Sequence, residues 1–299
     1  MEFFFAQILL LLTLPFLTLW IILRVKAFWA SRRGPALFQP FFDIMRLLKK
    51  GAVYSTTTTT VFRLMPTVQL AAVMIAAALL PLPGRDHILS FDGDFVLFAY
   101  LLAASRFALV AAALETGSPF EGMGGSREAS FAIFAEPAFF LLAGSMVLAG
   151  GGTQLAGMVS AFDGRTVLAT LAVLSLFVMV LLEGARVPVD DPATHLELTM
   201  IHEAMILDHS GPDLAMLHYG AALKTVVVSA LLVLVALPEG ECTGWMRLLW
   251  TAAGTLVLAV LIGTLESFMA RLRMTHVPQF VLLMFSISLV ALVSVLLLP

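Results

Sequence analysis

Charge is scarce in this chain: 12% of its 299 residues are Asp, Glu, Lys or Arg, against about 25% in a typical soluble domain. Too few charges remain to cover a water-facing surface, so a soluble globular protein is excluded. The single cysteine, Cys242, excludes an internal disulfide and falls short of the four thiolates that an iron–sulfur cluster usually needs. A strong basic excess is also missing, since the formal net charge is −3, and with it the electrostatic footprint of a nucleic-acid-binding surface. What fills the chain instead is apolar: 60% of residues are hydrophobic and the mean hydropathy is +0.99, more than one core can hide from water. The solvent for most of the chain is therefore lipid.

Crossing a bilayer takes about 20 mostly apolar residues. Runs of that kind lie at 3–23, 64–82, 94–114, 133–150, 166–182, 217–237, 247–265 and 277–298. The expected fold is all-α: one integral membrane domain over 1–299, with about eight transmembrane helices and amphipathic helices on the cytoplasmic side. The first run starts with Glu2, lacks a small-residue cleavage site and is followed by Arg24, Lys26, Arg32 and Arg33, so it reads as a span and not as a removable signal.

Lys and Arg concentrate in cytoplasmic segments. Arg24, Lys26, Arg32, Arg33, Arg46, Lys49, Lys50, Arg63, Arg127, Arg186, Lys224, Arg271 and Arg273 fall at one side of the spans, and Arg85, Arg165 and Arg247 at the other. This asymmetry places both termini outside. The long connections at 24–63, 115–132, 183–216 and 266–276 are then cytoplasmic, and those at 83–93, 151–165 and 238–246 are plain outer turns. Thr56 to Thr60 reads as an extended link, because a run of β-branched residues suits a helix poorly.

The segment from Glu183 to Asp213 holds Glu183, Asp190, Asp191, Glu197, Glu203, Asp208 and Asp213, opposed only by Arg186. A charge at mid-bilayer costs roughly 2.5–3.5 kcal/mol, so these groups must face water or protein. Close carboxylates raise one another's pKa toward neutrality, which suits groups that accept and pass protons. Glu183 and Arg186, three residues apart, are expected to pair on one helical face. Pro192 is expected to start a short amphipathic helix under the bilayer, with Asp191, His195, His202 and His209 on its polar stripe. Seven-residue steps put those histidines about 10 Å apart, too far to share one metal ion unaided, and no metal site is expected.

Arg106 sits inside the third span, which Glu115 ends, and an intramembrane charge either serves function or ties helices together. Glu136, before Pro137, stands at the expected entrance of the fourth span, where a helix N-terminus favours its anion. The run after Gln39-Pro40, with Asp43, Arg46, Lys49 and Lys50 among Phe41, Phe42, Ile44, Met45, Leu47 and Leu48, is amphipathic. It either lies in the headgroups or forms a shaped docking surface.

Arg32-Arg33-Gly34-Pro35 with Gln39 and Asp43, Thr116-Gly117-Ser118-Pro119-Phe120, Ser126-Arg127-Glu128, Glu136-Pro137, Glu183 with Arg186, Pro188 and Asp190, and Tyr219-Gly220 together resemble the subunit-one membrane proteins of respiratory complex I. They are more similar still to the membrane subunits of the formate hydrogenlyase subunit four and hydrogenase-four component C type. The resemblance runs nearly end to end. It implies a subunit of a bacterial or archaeal cytoplasmic (inner) membrane, seated between a cytoplasmic redox arm and antiporter-like membrane subunits and catalysing nothing alone. It implies no cofactor in this chain: iron–sulfur clusters and nickel–iron or quinone chemistry would belong to small and large partner subunits. Those partners would dock on Arg32, Arg33, Gly34, Pro35, Gln39, Asp43 and Asp208. A lateral proton path would run through Glu115, Glu136, Glu183, Asp190, Asp191, Glu197 and Glu203, with Arg106, Arg127 and Arg186 as counter-charges. Where complex I members have a Glu-rich stretch after the position of Asp190, this chain has Asp191, Ala193 and His195 and keeps Glu197, which favours the hydrogenase side.

Two rivals remain at this point: a quinone-site subunit of an NADH dehydrogenase, which requires a lipid-open cavity between the first connection and the acidic loop, and a stand-alone secondary transporter. On the favoured reading Glu183→Gln and Asp190→Asn leave assembly intact and reduce linked ion movement.

Overall fold

The computed structural model describes residues 2–82, 89–161, 165–191, 200–237 and 244–297. Among these residues the secondary structure is helical, without a strand. In chain order the helices are α1 (Glu2–Trp29), α2 (Gln39–Leu48), α3 (Thr60–Leu79), α4 (Asp94–Glu115), α5 (Pro119–Met146, continued by a wider turn over Val147–Gly151), α6 (Leu155–Ser160), α7 (Thr166–Glu183), α8 (His202–Met205), α9 (Gly211–Ala236), α10 (Trp245–Phe268) and α11 (Val277–Leu297). Eight of them are long and apolar enough to cross a membrane: α1, α3, α4, α5, α7, α9, α10 and α11.

The architecture follows from which faces are apolar. Helix α9 is hydrophobic on every side, as a helix surrounded by others must be. In its most apolar window 83% of residues are buried, and α1, α3, α7 and α10 pack around it. The peripheral helices instead leave large apolar side chains outward, such as Phe107 on α4, Ile133 on α5 and Leu249 on α10. In lipid such outward residues cost nothing and need no partner.

Several expectations of boundary change. The fourth span starts at Pro119, so residues 119–132 are the first part of a 28-residue helix and not a connection. Glu136 therefore lies in the helix interior and caps nothing. The outer segment 151–165 contains the short α6, whose Leu155, Met158 and Val159 are buried. The Thr-rich link departs from the extended form expected of it: Thr56 and Thr57 form a turn closed by the Thr58 N–H on the Ser55 carbonyl, Thr60 already belongs to α3, and the extended Thr59 N-caps that helix by accepting the Val61 N–H.

The largest departure concerns the acidic segment. Glu183 ends α7 at a level reached by Arg106, nine residues before the end of α4, and by Lys224, thirteen residues into α9. At 1.5 Å per residue those positions lie about 13 and about 20 Å along their helices from the ends they share with this segment. The chain after Glu183 therefore runs as irregular backbone inside the helix bundle, and not as a loop beneath it. Val187, Val189, Asp190, Met200, Ile201, Met205 and Ile206 are buried there. Non-helical backbone is tolerated at such depth only when protein covers it. Residues 192–199, where the amphipathic helix, His195 and Glu197 were expected, lie outside the described residues, as does Cys242. Of the expected polar stripe, His202 starts the four-residue α8, while His209 is buried against Phe62 and shares no face with it.

Candidate functional site

The site is a set of three ion clusters strung along residues 183–190. In the first, the Glu183 carboxylate, buried, receives hydrogen bonds from the Arg106 guanidinium and lies 3.1 Å from Lys224 Nζ. Arg106 is a hub. Its Nη1 also donates to Glu136 Oε1 at 2.6 Å, and its Nε lies 3.1 Å from Glu128 Oε1. Helices α4, α5, α7 and α9 each supply a member, so the network fixes four spans at one level. With every member ionised it holds three carboxylates against two cations, a net charge of −1.

The second cluster is reached by leaving the helix. Gly184 closes α7 where an added Cβ would stand 2.8 Å from the Val180 carbonyl and 2.9 Å from Thr225 Oγ1, and Ala185 takes a left-handed φ of +48°. This break overturns the expected Glu183–Arg186 pair, which assumed that the helix continues. Arg186 turns instead toward Glu266 on α10, at 3.5 Å, and Lys26 on α1 reaches the same carboxylate at 2.8 Å. In the third cluster Asp190 lies 3.3 Å from Arg271 and accepts the N–H groups of Ile201 and His202 at 3.1 and 3.0 Å and that of Asp191 at 2.9 Å. Asp190 thus latches the far end of the segment to its start.

Among the described residues the structure gathers Arg106, Glu136 and Glu183 in one network, sets Arg186 near Glu203, and brings Asp190, Asp191 and Arg127 to Arg271. Glu115, half-buried, accepts the Thr59 N–H at 3.0 Å and so fixes the entry to α3. Arg127 donates to the Met200 carbonyl at 2.9 Å. Burial pushes the Glu203 carboxyl up, but its hydrogen bond to His202 and the charges of His202, His218 and Arg186 outweigh burial and hold it below the usual carboxylate range. Crowding among carboxylates is therefore not what sets this group. Sequence reasoning missed Lys224, Glu128, Glu266, Lys26 and Arg271 as members. Lys224 is the one that the sequence marks, because it is an isolated charge inside an apolar run.

Three spaces adjoin the clusters. A cavity of about 390 Å³ lies between α1, α2 and α9, where Lys26, Asp43, Arg186, His202, Glu203 and His218 give it polar walls and Leu19, Leu23, Ile44 and Leu47 apolar ones. A second space of about 40 Å³, room for one water, touches Arg106, Glu136 and Glu183. It neighbours a groove of about 500 Å³ on the outer face of α4 and α5, lined in part by Arg106 and Glu136. The side chain of Glu136 is 44% exposed there, midway along a membrane-spanning helix. Gly184 and Thr225, the chain neighbours of Glu183 and Lys224, line the inner polar cavity, and Arg106 and Glu136 line the outer groove.

Of the expected docking residues, Gln39 donates to Asp43 at 2.9 Å on α2, and Phe42, Met45 and Leu48 of that helix are exposed. Asp208 is exposed beside Leu207, its backbone N–H donated to the buried Glu121 at 2.9 Å. The neighbouring His209 stacks on Phe62 with ring centroids 3.9 Å apart, and burial pulls its pKa down to about 4. Between that value and about 6.5 the unfolded chain takes up a proton that the folded chain refuses, so stability falls as pH drops through this window. The loss approaches about 3 kcal/mol at its acid end. Thermal unfolding of the detergent-solubilised protein at pH 7.5 and pH 5 measures it. His209→Phe, which keeps the stack, is expected to lessen the acid sensitivity; an unchanged pH dependence in that variant refutes the assignment.

Comparison with known proteins follows the same outline. Residues 2–296 match the family described as NADH dehydrogenase. Hydrogenase-4 component C of Escherichia coli (strain K12) is 33% identical over 296 residues, covering 96% of this chain and 93% of that protein. Formate hydrogenlyase subunit 4 of the same organism is 31% identical over 278 residues, 89% of each. A chain in the structure of the membrane-bound sulfane sulfur reductase, an archaeal respiratory membrane complex, superposes with a TM-score of 0.81 over 98% of this chain and 99% of that one, at 17% identity. That last likeness is one of fold.

Proposed function

This chain belongs to the NADH dehydrogenase family of membrane subunits, the complex I subunit-one family, and on that footing we propose that it is the membrane-anchor and ion-path subunit of an energy-converting hydrogenase or related complex. It couples electron transfer in partner chains to ion movement across the membrane and is not itself the catalyst. The observation that carries the reading is the Arg106 network, five ionisable groups from four spans that line an outward-facing groove at Arg106 and Glu136 and come within one residue of the inner cavity at Gly184 and Thr225. Ion pairs at this depth mark proton relays and ion pathways.

In this reading protons enter at the cavity beside His202, Glu203 and His218, are exchanged at Glu183 between Lys224 and Arg106, and leave laterally at Glu136 toward an antiporter-like membrane subunit on the α4/α5 groove. Hydrogenase-like small and large subunits, bearing the iron–sulfur clusters and the nickel–iron centre, dock on the face formed by α2 and Asp208. The Lys and Arg asymmetry supports setting that face in the cytoplasm, with both termini outside the inner membrane.

Glu183→Gln tests the path. The variant keeps the shape of the side chain, and Arg106 retains two carboxylates, so the partner subunits are expected to co-purify in the normal ratio. Ion movement linked to turnover in sealed vesicles is expected to fall by about tenfold or more, the scale of removing one proton-transfer group. Normal ion movement in an assembled Glu183→Gln complex sinks the proposal.

The cavity favours a second reading, because it is lined by both the first connection and the acidic segment, as a quinone site requires. A photoreactive quinone analogue separates the two. Saturable labelling of peptides containing Leu23 or Ile44, displaced by excess quinone, supports the quinone reading, and none is expected for a hydrogenase subunit.

A further inference from the structure

The turn that leaves α1 carries a cluster of cations that the ion path does not use. Arg24, Arg32 and Arg33 are exposed and line one cavity of about 470 Å³ together with Phe28 and Gly34. None of the three has a carboxylate partner among the described residues. Three other cations of this face do have carboxylate partners, Lys26 with Glu266, Arg46 with Asp43 and Arg271 with Asp190. Three like charges kept together without an anion cost free energy unless something negative sits among them.

The cluster is held in place by backbone. The Arg32 N–H donates to the Ala27 carbonyl at 2.8 Å and the Ser31 N–H to that of Phe28 at 3.0 Å, with Ser31 at a left-handed φ of +54°. This is the helix-ending pattern that reverses the chain on itself, and it brings Arg32 and Arg33 back beside Arg24. Gly34 then lies flat on α1, where an added Cβ would stand 2.7 Å from Arg24 Cδ. Trp20 Nε1 donates to the Pro35 carbonyl at 3.2 Å and pins the returning strand of chain.

The surroundings decide what the anion is. Phe28 is 75% exposed, and the Trp29 and Phe268 rings meet edge-on with centroids 4.7 Å apart, both largely exposed. Exposed aromatic rings at the end of a membrane span mark the headgroup level of the bilayer. Guanidinium groups are suited to phosphate oxygens, which they grip through paired N–H donors. We propose that Arg24, Arg32 and Arg33, in place of the partner docking that the resemblance implies for Arg32 and Arg33, form a binding site for the headgroup phosphate of an anionic phospholipid, whose chains run down beside Phe28 and the Trp29–Phe268 pair.

The test uses the assembled complex, purified in detergent and stripped of lipid, with native mass spectrometry reading the adducts on this subunit. Short-chain phosphatidylglycerol is expected to bind tighter than phosphatidylcholine of the same chain length. The double variant R32Q/R33Q is expected to weaken phosphatidylglycerol binding by roughly tenfold to thirtyfold, given the worth of each basic residue at a membrane surface. R32K/R33K, which keeps the charges and loses the paired donors, should fall between wild type and R32Q/R33Q, and it carries the test if the latter fails to assemble. Equal binding of the two lipids, unchanged binding in both variants, or full displacement by inorganic phosphate alone overturns the proposal. So does binding to the isolated chain that disappears in the complex, since a partner's acidic surface would then hold these arginines.

Discussion

Arg106→Ala is expected to deplete the chain from the membrane and prevent the complex from assembling. The substitution leaves Glu128, Glu136 and Glu183 facing one another across α4, α5 and α7, with Lys224 the remaining cation of the network. Removing one partner of a buried ion pair costs about 3–5 kcal/mol, because the charge left behind stays desolvated. That is a large fraction of the whole stability of a typical domain. Glu183 can escape part of the cost by taking up a proton, but the α7 end then loses the tie that sets its level. Arg106→Lys should assemble better yet couple poorly, since one ammonium cannot reach three carboxylates that a guanidinium engages through Nε, Nη1 and Nη2. Quantitative blotting of membranes together with size-exclusion chromatography of the solubilised complex measures both outcomes. Wild-type abundance of Arg106→Ala refutes the hub.

Asp190→Asn is expected to be the second most damaging change, and here the structure reverses the expectation that assembly survives it. Both Asp190 oxygens are committed: Oδ1 faces the Asp191 N–H and Arg271, and Oδ2 accepts from Ile201 and His202. An amide turned either way presents an N–H₂ group to donors. Two buried backbone donors lose their acceptor, or Arg271 faces a donor, at about 1–3 kcal/mol for each stranded group. The segment around Ile201–Ile206 should detach from the bundle before the helices melt. Limited proteolysis is the direct measurement, with cleavage expected between Asp190 and Gly211 many times faster than in wild type. Equal cleavage rates refute the latch.

Each span could be read from the sequence because lipid imposes one requirement, a long apolar run, that local composition reports directly. Residues 119–132 escaped that reading because Glu121, Arg127, Glu128 and five glycines or serines depress their hydropathy, although one side of this stretch packs against α4 and α8. The sequence also marked Arg106 and Glu183 as charges that lipid does not hold and Glu136 as an anion at the entrance of a span, and the structure joins both carboxylates to the Arg106 guanidinium. Their pairing was not legible. Arg106 and Glu183 are 77 positions apart, and the one spacing rule available, Glu183 with Arg186, fails because Gly184 and Ala185 end the helix between them. Glu266 was hidden for a related reason. A charge near one end of a span reads as a surface group until the neighbouring helices show that no surface is there.

Helix α9 has a consequence that its burial alone does not state. A lysine in a membrane helix ordinarily swings its long stem outward and puts its ammonium among the headgroups. Lys224 has no such exit, being enclosed on a helix with no bare flank and held by a carboxylate at 3.1 Å. Its charge is in effect bolted to the scaffold. On the proposed path, a proton gained or lost at Glu183 is felt against a stationary positive reference, and the change in field there falls on the other charges of the network, Arg106 and Glu136.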